Sequence, residues 1–429
     1  MENLEKSPQI WDVAVIGGGP AGMMAAGRAA ELGARVILLE KNTTLGKKLL
    51  ITGGGRSNIT NAQYDVRTFL QKYNRKDVQN DKFLFSAFSQ FAVKDAIDYF
   101  HVHAMPTKVE AENRVFPISN SAQSVWDVLV EQMKKYAVHV KSNSPVTGFE
   151  MENGKIIAAE IGKGKSQQKI YAKKFIVATG GTSRPETGST GDAFAWLTKL
   201  GHIVTSPTDA LVPLAISDSW VKKLSGLALQ NIKLTTFQNN QKQESHKGKI
   251  LFTHFGVSGP TVLNMSKDIS ELLKYGEVEL RLDLLPDLAH DTLNTRLQEL
   301  FKTDDKKKTK NALDAVIPAG LVEAALVIAK IDPEKQNNAV TREERIRLID
   351  VIKGMPMQVS GLLGADKAIV SSGGVELTEV DFKTMQSRIV PNLYLVGDIL
   401  NIDRPSGGYS LQLCWTTGFV AGSACVSNS

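Results

Sequence analysis

Three glycines and one acid supply the first chemistry. Gly17, Gly19 and Gly22 are spaced Gly-x-Gly-x-x-Gly, and Glu40 follows about 20 residues on. Gly17 suits a tight turn, Gly19 lets backbone approach a pyrophosphate, and Gly22 lets a helix pack closely on a strand. Free N–H groups at a helix N-terminus hold a diphosphate, and a carboxylate is the acceptor that ribose hydroxyls need. The set reads as a dinucleotide site in which Pro20 and Ala21 open the helix and Lys41 follows the acid.

The elements that must position these residues are legible around them. Val13 to Ile16 form a short apolar run ahead of the glycines, and residues 20–32 follow as an Ala- and Met-rich helical pattern. Residues 34–40 then read as a second buried strand ending in the acid. Strand, glycine turn, helix, strand and acid make one half of a Rossmann fold.

A second segment is dense in donors. Lys48 precedes Gly53, Gly54 and Gly55, and Arg56, Ser57 and Asn58 follow directly. Consecutive glycines cost entropy, so they mark close backbone approach or positive φ. This loop reads as lying along the cofactor and facing its reactive ring. It also reads as a hydrogen-bonded structural turn.

Further on, a buried strand ends in Ala178, Thr179 and Gly180 after a meander that contains Val146. That order is similar to flavin enzymes of the glutathione-reductase class, where the chain crosses beside the cofactor and a meander strand presents backbone to adenine. Another buried strand ends in Gly397 and Asp398, an acid placed to bond the ribityl chain of FAD. Gly407, Gly408 and Tyr409 then make a turn that leads into a helix, 411–424, carrying Gln412, whose N-terminus would face the pyrimidine end of the flavin. No second Gly-x-Gly-x-x-Gly unit follows. NAD(P)H is therefore expected to dock transiently at the flavin, as the reductant.

For proton chemistry the candidates are Tyr409, His254 and Arg56. Tyr409 sits on the turn expected at the flavin and a phenol can donate a proton; it also reads as a packing tyrosine. His254 also reads as a core histidine. Arg56 can hold a substrate carbonyl or the flavin. His101 and His103 read as sharing one face of a strand, which without a third ligand makes no metal site.

Composition narrows the classes. The only cysteines, Cys414 and Cys425, would lie roughly 16 Å apart along one helix, too far for a disulfide. With no CxxC, a flavin-to-dithiol reductase is excluded, and both read as packing residues. The net charge of +6 and pI of about 9.0 permit RNA or an anionic substrate without demanding either. The cluster Lys306, Lys307, Lys308 and Lys310 reads as a solvated joint. No apolar run reaches the length of a membrane span, and residues 1–11 hold no apolar signal core, so the expected compartment is the cytoplasm.

The expected architecture is α/β, with a glutathione-reductase-like FAD-binding Rossmann domain interrupted by a β-rich, barrel-like insert and a helical sub-domain. The expected bounds are 10–200 and 356–429 for the FAD-binding parts, 201–290 for the β-rich insert and 291–355 for the helical one.

Five motifs carry a family resemblance: residues 16–22, 46–61, 251–260, 372–375 and 397–412. On these, spread over nearly the whole chain, it resembles the BaiN/RdsA-like NAD(P)/FAD-dependent oxidoreductases. Asp398, Arg404 and Ser410 depart from the common family pattern, which bears on substrate preference. The resemblance implies FAD and hydride transfer from flavin N5 to an activated C=C bond, with uracil in ribosomal RNA as one substrate. The alternatives are a small-molecule enone reductase or amine oxidase, and a flavin-binding regulatory or RNA-binding protein without turnover.

Overall fold

A computed structural model describes residues 9–74, 79–162 and 167–427. Residues 1–8, part of the N-terminal stretch read for a signal, lie outside that set. The chain divides into two compact units, Met1–Asp209 with Ile369–Ser429, and Ala210–Ala368.

The first unit is built on a parallel core. Strand β1, Ile10–Ile16, lies between β2, Val36–Leu39, and the strand Gln168–Val177. All three run parallel, with Ile16 opposite both Leu39 and Val177. Strand Leu393–Leu395 joins the same sheet beside Gln168–Val177, with Leu395 opposite Val177. Strands Val146–Glu152 and Lys155–Ile161 extend it as an antiparallel meander. The central β1 residues Val13 to Ile16 are all buried, which is why they read as an unbroken apolar run.

Helix α1, Pro20–Glu31, starts three residues after β1 and packs on the C-terminal helix Tyr409–Ser427. Arg28 seals this contact at its end. Its Nε donates to Ser423 Oγ at 2.9 Å, and its guanidinium lies 4.5 Å from the centre of the Phe419 ring.

One expectation changes in this unit. Between residues 64 and 104 the described α-helices are Val66–Leu70, Asn80–Gln90 and Val93–Val102. His101 and His103 stand at the end of the last of these, not on a strand. Buried Val93, Ala96, Ile97 and Phe100 recur at helical spacing, and Asp95 accepts from the Ala92 N–H at 2.8 Å. The helical stripe therefore overrides the local alternation around His101.

His202, Glu379 and Ser387 line up as a Ser-His-Glu constellation, with His202 Nδ1 2.9 Å from Glu379 and Nε2 3.0 Å from Ser387 Oγ. Ser387 Oγ also accepts from the N–H groups of Ile389 and Val390 at 3.0 and 2.9 Å. Its own proton must then point at His202, whose side chain is fully buried. The three residues are a structural tie, with no access for a substrate.

The second unit contains a closed antiparallel barrel. Its order is Leu214–Ile216, Gly256–Ser258, Gln241–Thr253, Ala228–Gln238, Val278–Asp283 and Met355–Leu362. Met355–Leu362 closes it by pairing with both Val278–Asp283 and Leu214–Ile216. The barrel and the helices His290–Thr303, Ala319–Ile328 and Arg342–Lys353 share one apolar core, in which Leu293, Leu348 and Met355 are all fully buried. The β-rich and helical segments thus lie together in the unit Ala210–Ala368, and Met355–Leu362 belongs to it as a barrel stave.

In the lysine cluster, Lys308 and Lys310 both bond Glu334, and these bonds hold its carboxyl down at about 2.

A Cβ on Gly22 would overlap the carbonyl oxygen of Gly17, whereas one on Gly19 meets nothing within 4 Å. Gly22→Ala should therefore destabilise the protein by about 1–3 kcal/mol in urea unfolding. Gly19→Ala, at φ −78, should stay within about 0.5 kcal/mol of wild type. Equal effects of the two substitutions would contradict this packing account.

Candidate functional site

Parallel pairing brings three strand ends to one edge of the sheet. β1 leads into Gly17, Gly18 and Gly19; Gln168–Val177 leads into Thr179 and Gly180; Leu393–Leu395 leads into Val396 and Asp398. β2 adds Glu40 at the same edge. Open α/β sheets place their ligand crevices outside such carboxyl ends. A cleft lies there, wholly within the first unit, enclosing about 1180 Å³ of space free of protein atoms with its mouth included.

Glu40 is 7% exposed and organises one wall. Its Oε2 accepts from the Gly18 N–H at 2.8 Å, and its Oε1 accepts from the backbone and side-chain nitrogens of Asn42, both at 2.8 Å. A carboxylate offers about four acceptor directions, so one remains for a ligand. The acid thus holds the glycine turn in place as well as facing the cleft. Asn42 also donates to the Thr187 carbonyl at 3.0 Å, and Lys41 Nζ reaches Thr190 Oγ1 at 2.5 Å and Asp192 at 2.7 Å. These bonds strap the segment around Thr187 to Asp192 over the same wall.

The opposite wall is charged. Lys48, on helix α2, Lys47–Ile51, bonds Ser183 Oγ at 2.6 Å and lies 3.5 Å from Asp398 Oδ2. Asp398 Oδ1 is bonded by the guanidinium of Arg404, whose side chain is only 1% exposed. Burial alone would raise the Asp398 carboxyl, but Arg404 and then Lys48 outweigh it and hold the group below the usual range. Cys414 also faces the cleft. Burial, and after it the Asp398 carboxylate, pushes its thiol up to about 12, so it stays protonated and unreactive.

Of the residues singled out in the sequence, the cleft wall gathers Gly17, Gly19, Pro20 and Ala21 at the turn, and Glu40, Lys41 and Lys48 on the flanks. It also gathers Val146, Thr179, Gly180 and Asp398. Gly22 packs beneath the turn instead.

The triple-glycine loop and the second glycine turn are placed differently. Arg56 pairs with Glu110, bonds Asn120 Oδ1 at 2.7 Å and lies 4.2 Å over the Phe116 ring. Asn58 accepts from the Val115 N–H at 3.2 Å, and Gly54 and Gly55 have open space around them. None of these four is on the cleft wall. Gln412 is fully buried, bonded to Thr60 at 2.7 Å and Thr416 at 3.1 Å. Gly408 lets the C-terminal helix touch the strand Thr60–Asn61, where a Cβ would overlap the Thr60 carbonyl. Gly397 accommodates Ala21 and receives no cleft-facing position.

Tyr409 is 7% exposed, with its ring 4.8 Å from Phe69 and 6.0 Å from Tyr73. Burial raises its phenol, which therefore keeps its proton at neutral pH. Its neighbours Ser410 and Leu411 line the cleft in its place. His254 belongs to the second unit, exposed between Gln241–Thr253 and Gly256–Ser258, so it is no core histidine.

Sequence reasoning missed Asn42, the strap from Thr187, and the role of Arg404. Gly188 and Gly191, both at positive φ, were the available signal for the strap.

The donor set fits a flavin dinucleotide. Gly19 leaves room for a diphosphate at the first turn of α1, and Thr179 Oγ1, on the wall, is buried with no hydrogen-bond partner among the described residues.

Comparison with known proteins agrees with this geometry. The family described as HI0933-like protein Rossmann domain matches residues 11–424. A ribosomal RNA dihydrouridine synthase of Escherichia coli (strain K12) is 29% identical over 417 residues, 95% of this chain and 96% of the relative. A 3-dehydro-bile acid delta(4,6)-reductase of Clostridium scindens is 28% identical over 415 residues, 96% of this chain and 98% of the relative. Among solved structures, the fold matches a 3-ketosteroid delta1-dehydrogenase from Sterolibacterium denitrificans with a TM-score of 0.56 at 13% identity, covering 98% of this chain and all of that one. A flavocytochrome c3 fumarate reductase matches with a TM-score of 0.55 at 17% identity, covering 98% of this chain and 79% of that one.

Asp398→Asn would leave Lys48 and Arg404 facing a neutral partner and should cost about 3 kcal/mol at pH 7. Because the folded carboxyl lies below its unfolded value of about 4, that stabilisation is present above pH 4 and is lost as pH falls toward the folded value. Urea unfolding of both proteins at pH 7 and pH 3 should show the gap narrowing in acid. A gap that stays constant would contradict the charge account.

Proposed function

This chain belongs to the HI0933-like Rossmann family, and from that premise we propose that it is an FAD-dependent oxidoreductase. It reduces a carbon–carbon double bond conjugated to a carbonyl, with NAD(P)H as the transient reductant. The observation that carries the cofactor reading is the cleft at the joined strand ends, with an open Gly19 at a helix N-terminus and Glu40 beside it.

When bound, FAD supplies the hydride, which no side chain can deliver. The protein's own residues do the rest. The first turn of α1 holds the diphosphate with backbone N–H groups and its positive dipole end. The remaining acceptor direction of Glu40 takes a ribose hydroxyl. Lys41 and Asn42 keep the strap over that half. Lys48, Asp398 and the first turn of the C-terminal helix form the wall for the flavin half.

Hydride addition at the β-carbon leaves the α-carbon needing a proton. Arg56 is committed to Glu110 and Asn120, and the ring of Tyr409 is held in its aromatic cluster.

For the substrate, uracil in ribosomal RNA is favoured by relatives of that name in both Escherichia coli and Haemophilus influenzae, and by the net charge of +6. The bile acid reductase, equally long in its match, supports a small enone as the second reading. The two share one chemistry, since uracil C5=C6 is conjugated to a carbonyl. Nucleoside mass spectrometry of ribosomal RNA from cells with and without the gene separates them. Loss of a dihydrouridine on deletion, restored by complementation, is expected; unchanged dihydrouridine together with reoxidation of the reduced flavin by an enone would overturn the RNA reading.

A further inference from the structure

Arg404 does not line the cleft, yet it holds two groups that do. Its Nη2 bonds Asp398 and its Nε donates to Ser410 Oγ at 3.0 Å, and both partners are on the wall. A third donor, Nη1, is fixed on the Ile402 carbonyl at 2.7 Å. The guanidinium fork thus joins the turn Gly397–Ile399 to the first turn of the C-terminal helix. The planar fork presents these donors on three separate nitrogens in fixed directions, whereas an ammonium offers all its donors from one rotatable atom.

The charge count has a second consequence. In the ion pairs at this wall, Lys48 and Arg404 together face one carboxylate, Asp398, two cations to one anion. A surplus charge in a poorly solvated wall favours whichever ligand form brings a matching negative charge. Glu40 and the glycine turn serve the adenosine and diphosphate, which leaves the Lys48–Asp398–Ser410 wall for the flavin half, ribityl chain and ring. The two-electron-reduced ring carries a negative charge that the oxidised ring lacks.

We propose that Arg404 is a positioning residue of the flavin site, which sets the Asp398 and Ser410 groups for binding and whose charge favours the reduced cofactor over the oxidised one. The proposal rests on the FAD reading above and adds a residue that contacts no ligand itself. It separates two roles of one side chain: the fork governs affinity, and the charge governs potential.

Two substitutions divide these roles. Arg404→Lys keeps the charge and loses the fork; Arg404→Met loses both. Apoprotein of each is titrated with FAD by fluorescence quenching, and the loaded proteins are then reduced with dithionite against a reference dye to read the flavin potential. Folding is checked by circular dichroism and thermal unfolding. Arg404→Lys should bind FAD about tenfold more weakly with its potential near that of wild type. Arg404→Met should also lose about tenfold in its preference for the reduced form, which for a two-electron couple lowers the potential by about 30 mV. If Arg404→Met fails to fold, the affinity of Arg404→Lys still decides the positioning role. Wild-type affinity in Arg404→Lys overturns that role, and a wild-type potential in folded Arg404→Met overturns the charge role. A wild-type protein that takes up no FAD would instead defeat the cofactor reading itself, and with it this proposal.

Discussion

Everything at the cleft depends on one close backbone contact, the seat of α1 against the end of β1. Gly22 lies so near the Gly17 carbonyl that any side chain there would overlap it. That contact lets the helix start immediately above the strand and aim its first turn at the cleft. Gly17 itself leaves no room toward Ala178, where a Cβ would come within 2.6 Å of the carbonyl oxygen. The neighbouring strand end, with Thr179 and Gly180, is thereby held against the turn. Glu40 completes the arrangement from the other side by fixing the Gly18 N–H. Three elements far apart in sequence are thus locked at one edge by backbone packing and one carboxylate.

The two walls of the cleft use polar groups in different ways. On the Glu40 side, Glu40 bonds the Gly18 N–H and Asn42, Asn42 also bonds the Thr187 carbonyl, and Lys41 bonds Thr190 and Asp192, which offsets the cost of burying these groups. On the other side, Asp398 is held ionised by two cations and the balance is left positive. A wall whose carboxylate keeps one acceptor direction suits a ribose. An unbalanced one suits a ligand whose charge changes during turnover.

What was legible in the sequence was what is locally encoded. The glycine spacing, the apolar run of Val13 to Ile16 and the acid at Glu40 specify a strand–turn–helix–strand unit within some thirty residues. The family motifs carried the reading across the rest of the chain. What local pattern could not show is which side a residue faces after distant elements meet. Gln412 and Asn58 look like cofactor donors in a row of polar residues, but their partners are Thr60, Thr416 and Val115. Tyr409 follows a glycine turn and still packs into an aromatic cluster, because Phe69 and Tyr73 come from a helical region more than 300 residues earlier. The helices after residue 290 read as a separate sub-domain, since nothing in their own periodicity reveals that their apolar stripe is buried against barrel strands.

The central claim is that a flavin dinucleotide occupies the cleft at the joined strand ends of the first unit. Amide hydrogen exchange of the protein with and without FAD tests it most directly. Slowed exchange is predicted at residues 17–21, 40–42, 179–180, 187–192 and 410–411, segments that line that cleft. Protection confined to the barrel and its helices, with these segments unchanged, would contradict the account.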